Sequence, residues 1–564
     1  MKKYYFFILL FLPLFLVAQI IPITSTESLD LSEYGETTTY PGEGEYEIFL
    51  SADNILDKPI IVVDQFDPGD TIDIPGVYSL LDFVGTSGTQ NFADLLRAEG
   101  FDVVILNFPT YTRDEDAVTV DGGADFIERN AMVLVKLIEI INAEKAANSP
   151  EQNVIIGLSM GGIIARYALN YMENQSIDTD TRLYISFDSP HHGANIPIGL
   201  QHQLNWLAFN DTNPIAEVQP LVIGLLKSPT ARQLLSDHLD AHLSGADLVT
   251  FDPALTLPQA HPFRDFFETN INSLTPSGFP ENVRNVSIIN GSGEGNPYFA
   301  IGNSGPTVDN DYPVIDTNFD VPIGIFTANI IVAINLTPAA GDTNPVSSIS
   351  IQIFGAEIDG SVAESQSFSY SDGIDTASGG LFDLAGLTDA ISAGGGIAGD
   401  FVNALTIDKF SFSPSVSALA LEITDNEIDW HHTIDLSGRA TTNNTPFDNT
   451  FLPDDNEPHV QLNQANVDFA LLEILTPPLS IYDNNLFAFR LEKNPIQRDL
   501  VLLNDTIINE ALISLVDITG KLIFSSRQTL AKRTVFPVNL NSGLHILNIS
   551  TKNGQTYNLK VIAN

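Results

Sequence analysis

Short apolar runs alternate with longer amphipathic stretches between residues 58 and 192. This alternation is typical of βαβ units, which build a mostly parallel sheet. Apolar residues recur at helical spacing over residues 125–147, and a second helix is predicted from residue 162. The predicted strands are residues 58–63, 101–106, 153–156 and 182–187. This part of the chain is therefore predicted to form an α/β fold.

The pattern changes twice further along the chain. Residues 195–280 are predicted to be helical and contain Trp206 and an apolar run at 221–226, which makes this segment a candidate lid. Residues 295–425 are rich in Gly, Ser, Asp and Thr, with β-type runs at 347–354 and 401–412. We interpret this second stretch as a β-rich insertion.

Chain length, the amino terminus, hydropathy and the absence of cysteine add further expectations. A chain of 564 residues exceeds the ~250 to 300 residues at which a single core stops growing, so two or more domains are expected. Residues 1–18 combine two lysines, an apolar stretch and Ala18 as a cleavage position, which predicts a secretory signal peptide. No later run reaches the ~18 apolar residues of a membrane helix, so a soluble mature chain is expected. The chain contains no cysteine, which excludes disulfides and thiolate sites.

The chain is strongly acidic, with a net charge of -46. An acidic surface repels nucleic-acid phosphates and disfavours nucleic acid as a partner. One run of carboxylates could supply oxygen ligands for calcium, although it lacks EF-hand spacing: Asp309, Asp311, Asp316 and Asp320. The sequence contains no zinc motif and no glycine-rich phosphate loop, so no cofactor is expected beyond that weak calcium candidate.

The last part of the chain differs in charge and pattern. From residue 481 onward there are nine Lys plus Arg and six Asp plus Glu, a net charge of +3, against -49 for everything before it. Short alternating apolar runs are separated there by turn sequences such as Thr519-Gly520 and Asn553-Gly554. Residues 481–564 are therefore predicted to be a separate all-β sandwich, and residues 19–480 the main domain.

This tail resembles a known family. Asn494-Pro495, the segment ISLVDITGKLIF and the final residues from Val538 are similar to the C-terminal sorting domain of cargo of the type IX secretion system of Bacteroidota. The resemblance implies that the secretion machinery is a partner and that the protein is released or held at the outer cell surface.

The strongest chemical motif is the G-x-S-x-G sequence at residues 157–161, centred on Ser159. It follows the apolar run 154–156 and opens a predicted helix, which is the context of a nucleophile elbow. Glycines permit the tight turn from strand to helix, so the hydroxyl of the serine projects at the positive end of the helix. Ser159 is therefore the candidate nucleophile.

A serine hydroxyl needs a neighbouring base, and histidine is the usual one. In this class of site the base follows the nucleophile late in the domain. His459 fits, because a polar loop precedes it and a helical run at 463–475 follows it. His431 and His432 are the alternatives.

The segment 189–194, Ser-Pro-His-His-Gly-Ala, completes a second resemblance. Together with residues 157–162, Ala165-Arg166-Tyr167-Ala168 and His459-Val460, it resembles lipase-like α/β-hydrolases over most of residues 58–475. The resemblance implies an α/β-hydrolase core with the lid at 195–280, and a structural role for His191.

The resemblance also implies an oxyanion hole and an acid. The backbone N–H of Met160 is one expected oxyanion donor, and that of Phe66, in the loop after the first predicted strand, is the other. Pancreatic-type lipases place the acid at the position of Asp188, which we choose as the third member of the triad. Most relatives place it one strand later, where Glu294 lies, and Asp372 and Asp375 remain alternatives.

These observations predict an exported serine hydrolase that cleaves carboxylic esters. Whether it is a lipase acting on lipid esters or an esterase acting on small esters stays open. Two other functions are carried forward: a noncatalytic surface protein that binds glycans or calcium, and a serine peptidase.

Overall fold

The computed structural model describes residues 20–563 except 87, 114–115, 213, 217, 324–325, 386–400, 423–426, 440, 476–488, 492, 494–495, 497–498, 505–506, 518–520, 539, 541–542 and 551–555. The chain divides into two compact units, Met1–Ile474 and Leu475–Asn564. The predicted signal peptide lies outside the described residues.

The first unit combines strands and helices in alternation. Its strands are β1 (Ile21–Thr24), β2 (Glu43–Phe49), β3 (Pro59–Val63), β4 (Asp82–Gly85), β5 (Gly88–Asn91), β6 (Asp102–Asn107), β7 (Thr110–Thr112), β8 (Thr119–Asp121), β9 (Asn153–Leu158), β10 (Thr181–Phe187), β11 (Arg284–Ile288), β12 (Pro313–Ile323), β13 (Phe326–Asn335), β14 (Thr343–Ile353), β15 (Ala356–Gln366), β16 (Gly379–Asp383), β17 (Lys409–Pro414) and β18 (Asn449–Phe451). Its helices are α1 (Ile74–Leu80), α2 (Phe92–Ala98), α3 (Ile127–Lys145), α4 (Met160–Asn174), α5 (Ile198–Phe209), α6 (Gln219–Leu221), α7 (Pro229–Leu234), α8 (Pro262–Ser273), α9 (Ser415–Ala418) and α10 (Gln464–Leu475).

A mixed eight-stranded sheet is the centre of this unit, in the order β1-β2-β6-β3-β9-β10-β11-β18. The two strands at one edge, β1 and β2, are antiparallel, and the strands from β6 to β18 run parallel to one another. The four strands predicted from the sequence correspond to β3, β6, β9 and β10. This sheet confirms the predicted α/β class.

Both faces of the sheet are covered, which explains why the inner strands β3, β6 and β9 are buried along their whole length. Alternate residues of β3 point to opposite sides: Ile61 belongs to one apolar cluster, with residues of α3 and α4, and Ile60 to another, with residues of α1, α2 and α10. The strand order reverses at β3, whose neighbours are β6 and β9. In open α/β sheets, sites lie at the carboxyl ends of strands beside such a reversal.

The predicted β-rich insertion contains two separate β elements. Strands β12 to β15 form an antiparallel meander, and β16 pairs with β17 as a hairpin. The β-run predicted at 401–412 is wrong in its first half. Ala404 and Leu405 donate backbone hydrogen bonds to Phe401 and Val402, three residues earlier, as in a helical turn. These four residues are spaced to bury one side of that turn, and the strand begins only at Lys409.

The second unit is all β within its described residues. Its strands are β19 (Phe489–Leu491), β20 (Asp499–Asn504), β21 (Ile508–Asp517), β22 (Leu522–Leu530), β23 (Arg533–Pro537), β24 (Gly543–Ser550) and β25 (Thr556–Ala563). They form two sheets, β19-β20-β23 and β22-β21-β24-β25, whose buried side chains share one apolar cluster. Across the described residues of both units, we find no helix that is long and apolar enough to cross a membrane.

His202 of α5 provides a test of how this helix is held. The ring is fully buried and bonds to Ser347 of β14 at 2.9 Å and to Ser361 of β15 at 3.0 Å. Burial lowers the pKa of His202 from 6.5 to about 4. The unfolded chain therefore takes up a proton between these values that the folded chain does not. Above pH 6.5 the ring is neutral in both states, so its titration does not change the free energy of unfolding. As the pH falls from 6.5 toward 4, the free energy of unfolding decreases by up to about 3 kcal/mol.

We predict that His202→Gln makes the free energy of unfolding less dependent on pH between about pH 6.5 and about pH 4. Urea unfolding of the full chain at a series of pH values measures this slope. The control is His431→Gln, the same substitution at an exposed ring that bonds to the carbonyl of Gly373 and not to the meander. An unchanged slope in His202→Gln would show that the ring is not held neutral in the folded state.

Candidate active site

Ser159 lies at a sharp turn between β9 and α4. Its backbone has φ 50° and ψ -118°, a strained conformation for a residue with a side chain. A Cβ at Gly157 or Gly162 would overlap its neighbours: Gly157 faces the backbone of Gly162, and Gly162 faces the side chain of Ser189. The local sequence therefore forms an elbow because only glycine fits around the serine.

The structure brings three of the predicted side chains together. His459 Nε2 lies 2.7 Å from Ser159 Oγ, and His459 Nδ1 lies 2.7 Å from Asp188 Oδ2. Ser159 follows β9, Asp188 follows β10, and His459 lies in the loop before α10. Ser159 is 2% exposed, and Asp188 has no exposed surface. The arrangement can pass a proton from the serine hydroxyl to an imidazole that a buried carboxylate orients.

Asp188 is held at the end of β10 by contacts that sequence reasoning missed. Its Oδ1 accepts the backbone N–H of Asn290 at 3.0 Å, and its carbonyl oxygen accepts a hydrogen bond from Ser413 Oγ at 3.1 Å. Gly380 lies so close that a Cβ there would overlap Asp188 Oδ2. Gly380 and Ser413 belong to the β16–β17 hairpin, so the insertion contributes to the site.

The same hairpin positions the loop that carries His459. The backbone N–H of His459 donates to the carbonyl of Leu381 at 2.8 Å, and the N–H of Leu381 donates to the carbonyl of Glu457 at 2.9 Å. The ring of Phe412 in β17 contacts the ring of His459 edge-on, with centroids 4.8 Å apart. Backbone pairing and ring packing together fix the orientation of the imidazole.

Asn290 connects the acid to the histidine loop. Its side-chain N–H₂ group donates to Glu457 Oε2 at 3.0 Å and to the backbone carbonyl of Gln461 at 2.9 Å. Its backbone carbonyl accepts the backbone N–H of Glu457. Burial raises the pKa of Glu457, and the charge of Asp188 adds to the rise. Glu457 is thus a second partly buried carboxylate that supports the loop without contacting the imidazole.

The loop after β3 lies against the first turn of α4. A Cβ at Gly161 would overlap the carbonyl oxygens of Val63 and Asp64, which brings the loop containing Phe66 close to the elbow. Burial raises the pKa of Asp64 well above its ordinary value. Within the described chain, the backbone N–H groups of Phe66 and Met160 donate no hydrogen bond to a protein group. Both N–H groups predicted as oxyanion donors therefore lack a protein acceptor among the described residues.

The alternative bases and acids have other partners. His431 Nε2 bonds to the carbonyl of Gly373 at 3.1 Å, and His432 Nε2 to Asn443 Oδ1 at 3.1 Å. Asp372 accepts the N–H of Ala340. Glu294 is exposed. These contacts leave Asp188 as the carboxylate that meets His459 among the four considered.

Asp375 is buried elsewhere in the insertion. It accepts hydrogen bonds from Asn195 Nδ2 at 2.9 Å and from the N–H of Thr337 at 2.8 Å. Burial raises its pKa to about 6. Its hydrogen bonds link the segment before α5 to the meander.

His191 is buried in the segment that follows β10. Its Nε2 is 2.9 Å from Ser186 Oγ, and its ring packs against Phe279 and Phe447. Burial lowers its pKa well below the ordinary value. The contacts are those of a packing residue, as the resemblance implied.

The acidic run considered for calcium does not form a compact ligand set. Asp311 accepts a hydrogen bond from Asn344 at 2.7 Å, and Asp320 accepts one from Asn329 at 3.0 Å. Among the described residues, no group of three or more His, Asp or Glu side chains is arranged to hold a metal ion.

Comparison with known proteins gives one family match and several distant structural matches. Residues 84–214 match the family described as PGAP1-like alpha/beta domain, a segment that includes Ser159 and Asp188. No curated protein sequence matches the chain.

Among solved structures, the α/β serine hydrolase XC6422 from Xanthomonas campestris is 13% identical, with a TM-score of 0.21; the match covers 31% of this chain and 62% of that one, less than two thirds of its length. Est1E from Butyrivibrio proteoclasticus is 9% identical, with 47% and 77% coverage and a TM-score of 0.22. The lipase BlEst2 of Bacillus licheniformis, in its propeptide form, is 10% identical, with 92% and 96% coverage and a TM-score of 0.27. At these scores the likenesses assign no substrate.

The contact between Gly380 and Asp188 yields a prediction. In Gly380→Ala the new methyl group displaces the carboxylate, which weakens its hydrogen bond to His459. We expect Ser159 of this variant to react with a fluorophosphonate at least about tenfold more slowly than in the parent. Asp188→Asn, which removes the carboxylate charge, should slow the reaction by up to ~10⁴-fold. Labelling rates of the purified chain measure the effect.

Gly438→Ala is the matched control, because nothing lies within 4 Å of a Cβ at that position. Equal labelling rates for Gly380→Ala and Gly438→Ala would contradict a positioning role for the hairpin.

Proposed function

We propose that the protein is an exported serine hydrolase that cleaves carboxylic esters through Ser159, His459 and Asp188. The observation that supports this most directly is the pair of 2.7 Å hydrogen bonds that join the three side chains. An unreactive serine would not require a buried carboxylate on the far side of its histidine partner.

In the proposed mechanism, His459 Nε2 takes the Ser159 proton as the hydroxyl oxygen attacks the ester carbonyl. The backbone N–H groups of Phe66 and Met160 donate hydrogen bonds to the oxyanion, and loss of one such donor typically costs ~3 kcal/mol. His459 then protonates the leaving alcohol. A water molecule then attacks the acyl-enzyme while His459 takes its proton. His459 returns this proton to Ser159 Oγ as the carboxylic acid is released. This chemistry requires no cofactor.

Asp188 acts by orientation and charge in this scheme. Its hydrogen bond keeps the proton on His459 Nδ1, which leaves Nε2 free to accept from Ser159. The imidazolium that forms during the reaction is stabilised by the buried carboxylate. Because Asp188 follows β10, the acid lies one strand nearer to the nucleophile than in most relatives of this class.

We also propose that the protein is secreted or held at the outer cell surface. The support is the amino-terminal sequence, with its lysines, apolar stretch and Ala18, and the similarity of the tail to type IX sorting domains. The two sheets of the second unit, which share one apolar cluster, are compatible with the predicted β-sandwich.

Ser159→Ala should abolish both stoichiometric fluorophosphonate labelling and hydrolysis of p-nitrophenyl esters, since the nucleophile is lost. The purified mature chain, assayed beside the variant, measures both. Circular dichroism and thermal unfolding should be little changed, which separates chemistry from folding. Absence of labelling in the parent chain would favour a noncatalytic protein. Faster turnover of peptide anilides than of esters would favour a peptidase.

Removal of residues 481–564 should block passage across the outer membrane and leave ester hydrolysis intact. Expression of the full and shortened chains in a Bacteroidota host, followed by fractionation and an esterase assay, tests this. Equal amounts of both chains outside the cell would contradict the sorting role of the tail.

A further inference from the structure

A small apolar cavity lies beside the proposed active site. It has a volume of about 20 Å³ and eight lining side chains, all of them apolar. Those used below are Phe66, Leu200, Leu204, Leu225, Phe382 and Phe412. They come from the loop after β3, from the helical region and from the β16–β17 hairpin.

Two of these side chains connect the cavity to the reacting groups. Phe66 is the residue whose backbone N–H is the proposed oxyanion donor, so its side chain starts at the oxyanion hole. The ring of Phe412 packs against the ring of His459 at 4.8 Å. The cavity is therefore separated from the imidazole of His459 and from the proposed oxyanion donor only by side chains that line it.

The aromatic wall of the cavity is held by the hairpin. Phe382 and Phe410 stack with ring centroids 5.4 Å apart, and Phe382 lies 5.7 Å from Phe412. The same two strands pair from Gly379 to Asp383, and they fix His459 and Asp188. This wall cannot retreat without disturbing the triad.

The opposite wall is formed by α5, which lies in the region predicted to be a lid. Gly199 packs so closely on β14 that a Cβ would overlap the carbonyl oxygen of Val346. The polar side chains of the helix are buried and bonded: Gln201 to the carbonyls of Ile196 and Asp237, and Asn205 to the carbonyl of Leu248.

His202 adds two bonds from α5 to the meander, to Ser347 and Ser361. Moving α5 away from the meander would break these hydrogen bonds, which opposes the motion. The helix is therefore a fixed wall, and the cavity volume is set by the fold.

We propose that this cavity is the acyl-binding pocket and that it admits only short acyl groups, such as acetyl or propionyl. The inference rests on the proposed function and narrows its substrate class to short-chain esters. A volume of about 20 Å³ exceeds the ~10 to 15 Å³ that a cavity needs to hold one water molecule and is far below the size of a pocket for a long acyl chain. A methyl group fits, and an octanoyl chain does not.

The test compares p-nitrophenyl acetate, butyrate, hexanoate and octanoate with the full mature chain. We expect kcat/KM to fall at least about tenfold from acetate to hexanoate, since one methylene that does not fit changes discrimination ~10- to 200-fold. Leu204→Ala removes three carbons from the α5 wall and should raise the hexanoate-to-acetate ratio at least about tenfold.

Leu225→Ala is the second variant, because Leu225 is only half-buried and its loss disturbs folding less. It should shift the ratio in the same direction. Leu96→Ala is the matched control: this fully buried leucine of α2 lies in the cluster on the other face of the sheet. The control should keep the selectivity of the parent.

The outcomes separate the two proposals. A parent chain that hydrolyses esters but prefers octanoate, or pocket variants that keep the parental ratio, would overturn the short-acyl pocket and leave the hydrolase intact. The same holds if the variants change selectivity among methyl, butyl and hexyl acetates instead, since the cavity would then hold the alcohol. A chain that neither labels with fluorophosphonate nor hydrolyses any ester would overturn the proposed function itself.

Discussion

The hydrogen bond between Asp188 and His459 is the contact on which the site depends. Asp188 has no exposed surface, and a buried carboxylate is tolerated only when hydrogen bonds offset its lost hydration. One oxygen accepts the N–H of Asn290 and the other meets the imidazole. The ring is thereby fixed with Nε2 toward Ser159. Displacing the carboxylate would leave a buried charge without a partner and release the base.

The β16–β17 hairpin makes this contact possible, although it lies in the segment that the sequence predicts to be a β-rich insertion. Gly380 leaves room for the carboxylate, Leu381 pairs with the loop before α10, and Phe412 packs on the imidazole. The hairpin also walls the apolar cavity. The proposed catalytic geometry and the proposed acyl selectivity therefore depend on the same pair of strands, so the insertion contributes to both.

The sequence predicted the parallel strands and the elbow because both follow from local patterns: apolar runs of strand length, and glycines around a serine. It also predicted His459 and Asp188, whose side chains the structure places together, although their roles stay proposals. Gly380, Asn290 and Phe412 could not be found in this way. Their contribution arises from contacts between residues far apart in the chain, such as the 102 positions between Asn290 and Asp188, and an isolated Gly or Phe carries no spacing that marks it. The helical turn at Phe401 was missed because a short apolar run fits either period.

Ser159 and His459 are 300 positions apart in the chain. At ~5 to 20 residues per second, a ribosome needs roughly 15 to 60 s to add the base after the nucleophile. Throughout that interval the proposed nucleophile lacks its proposed base, so a nascent chain cannot carry out the proposed ester hydrolysis. Under the proposed export, a chain that folds only outside the cell would stay inactive until then, with no separate inhibitor.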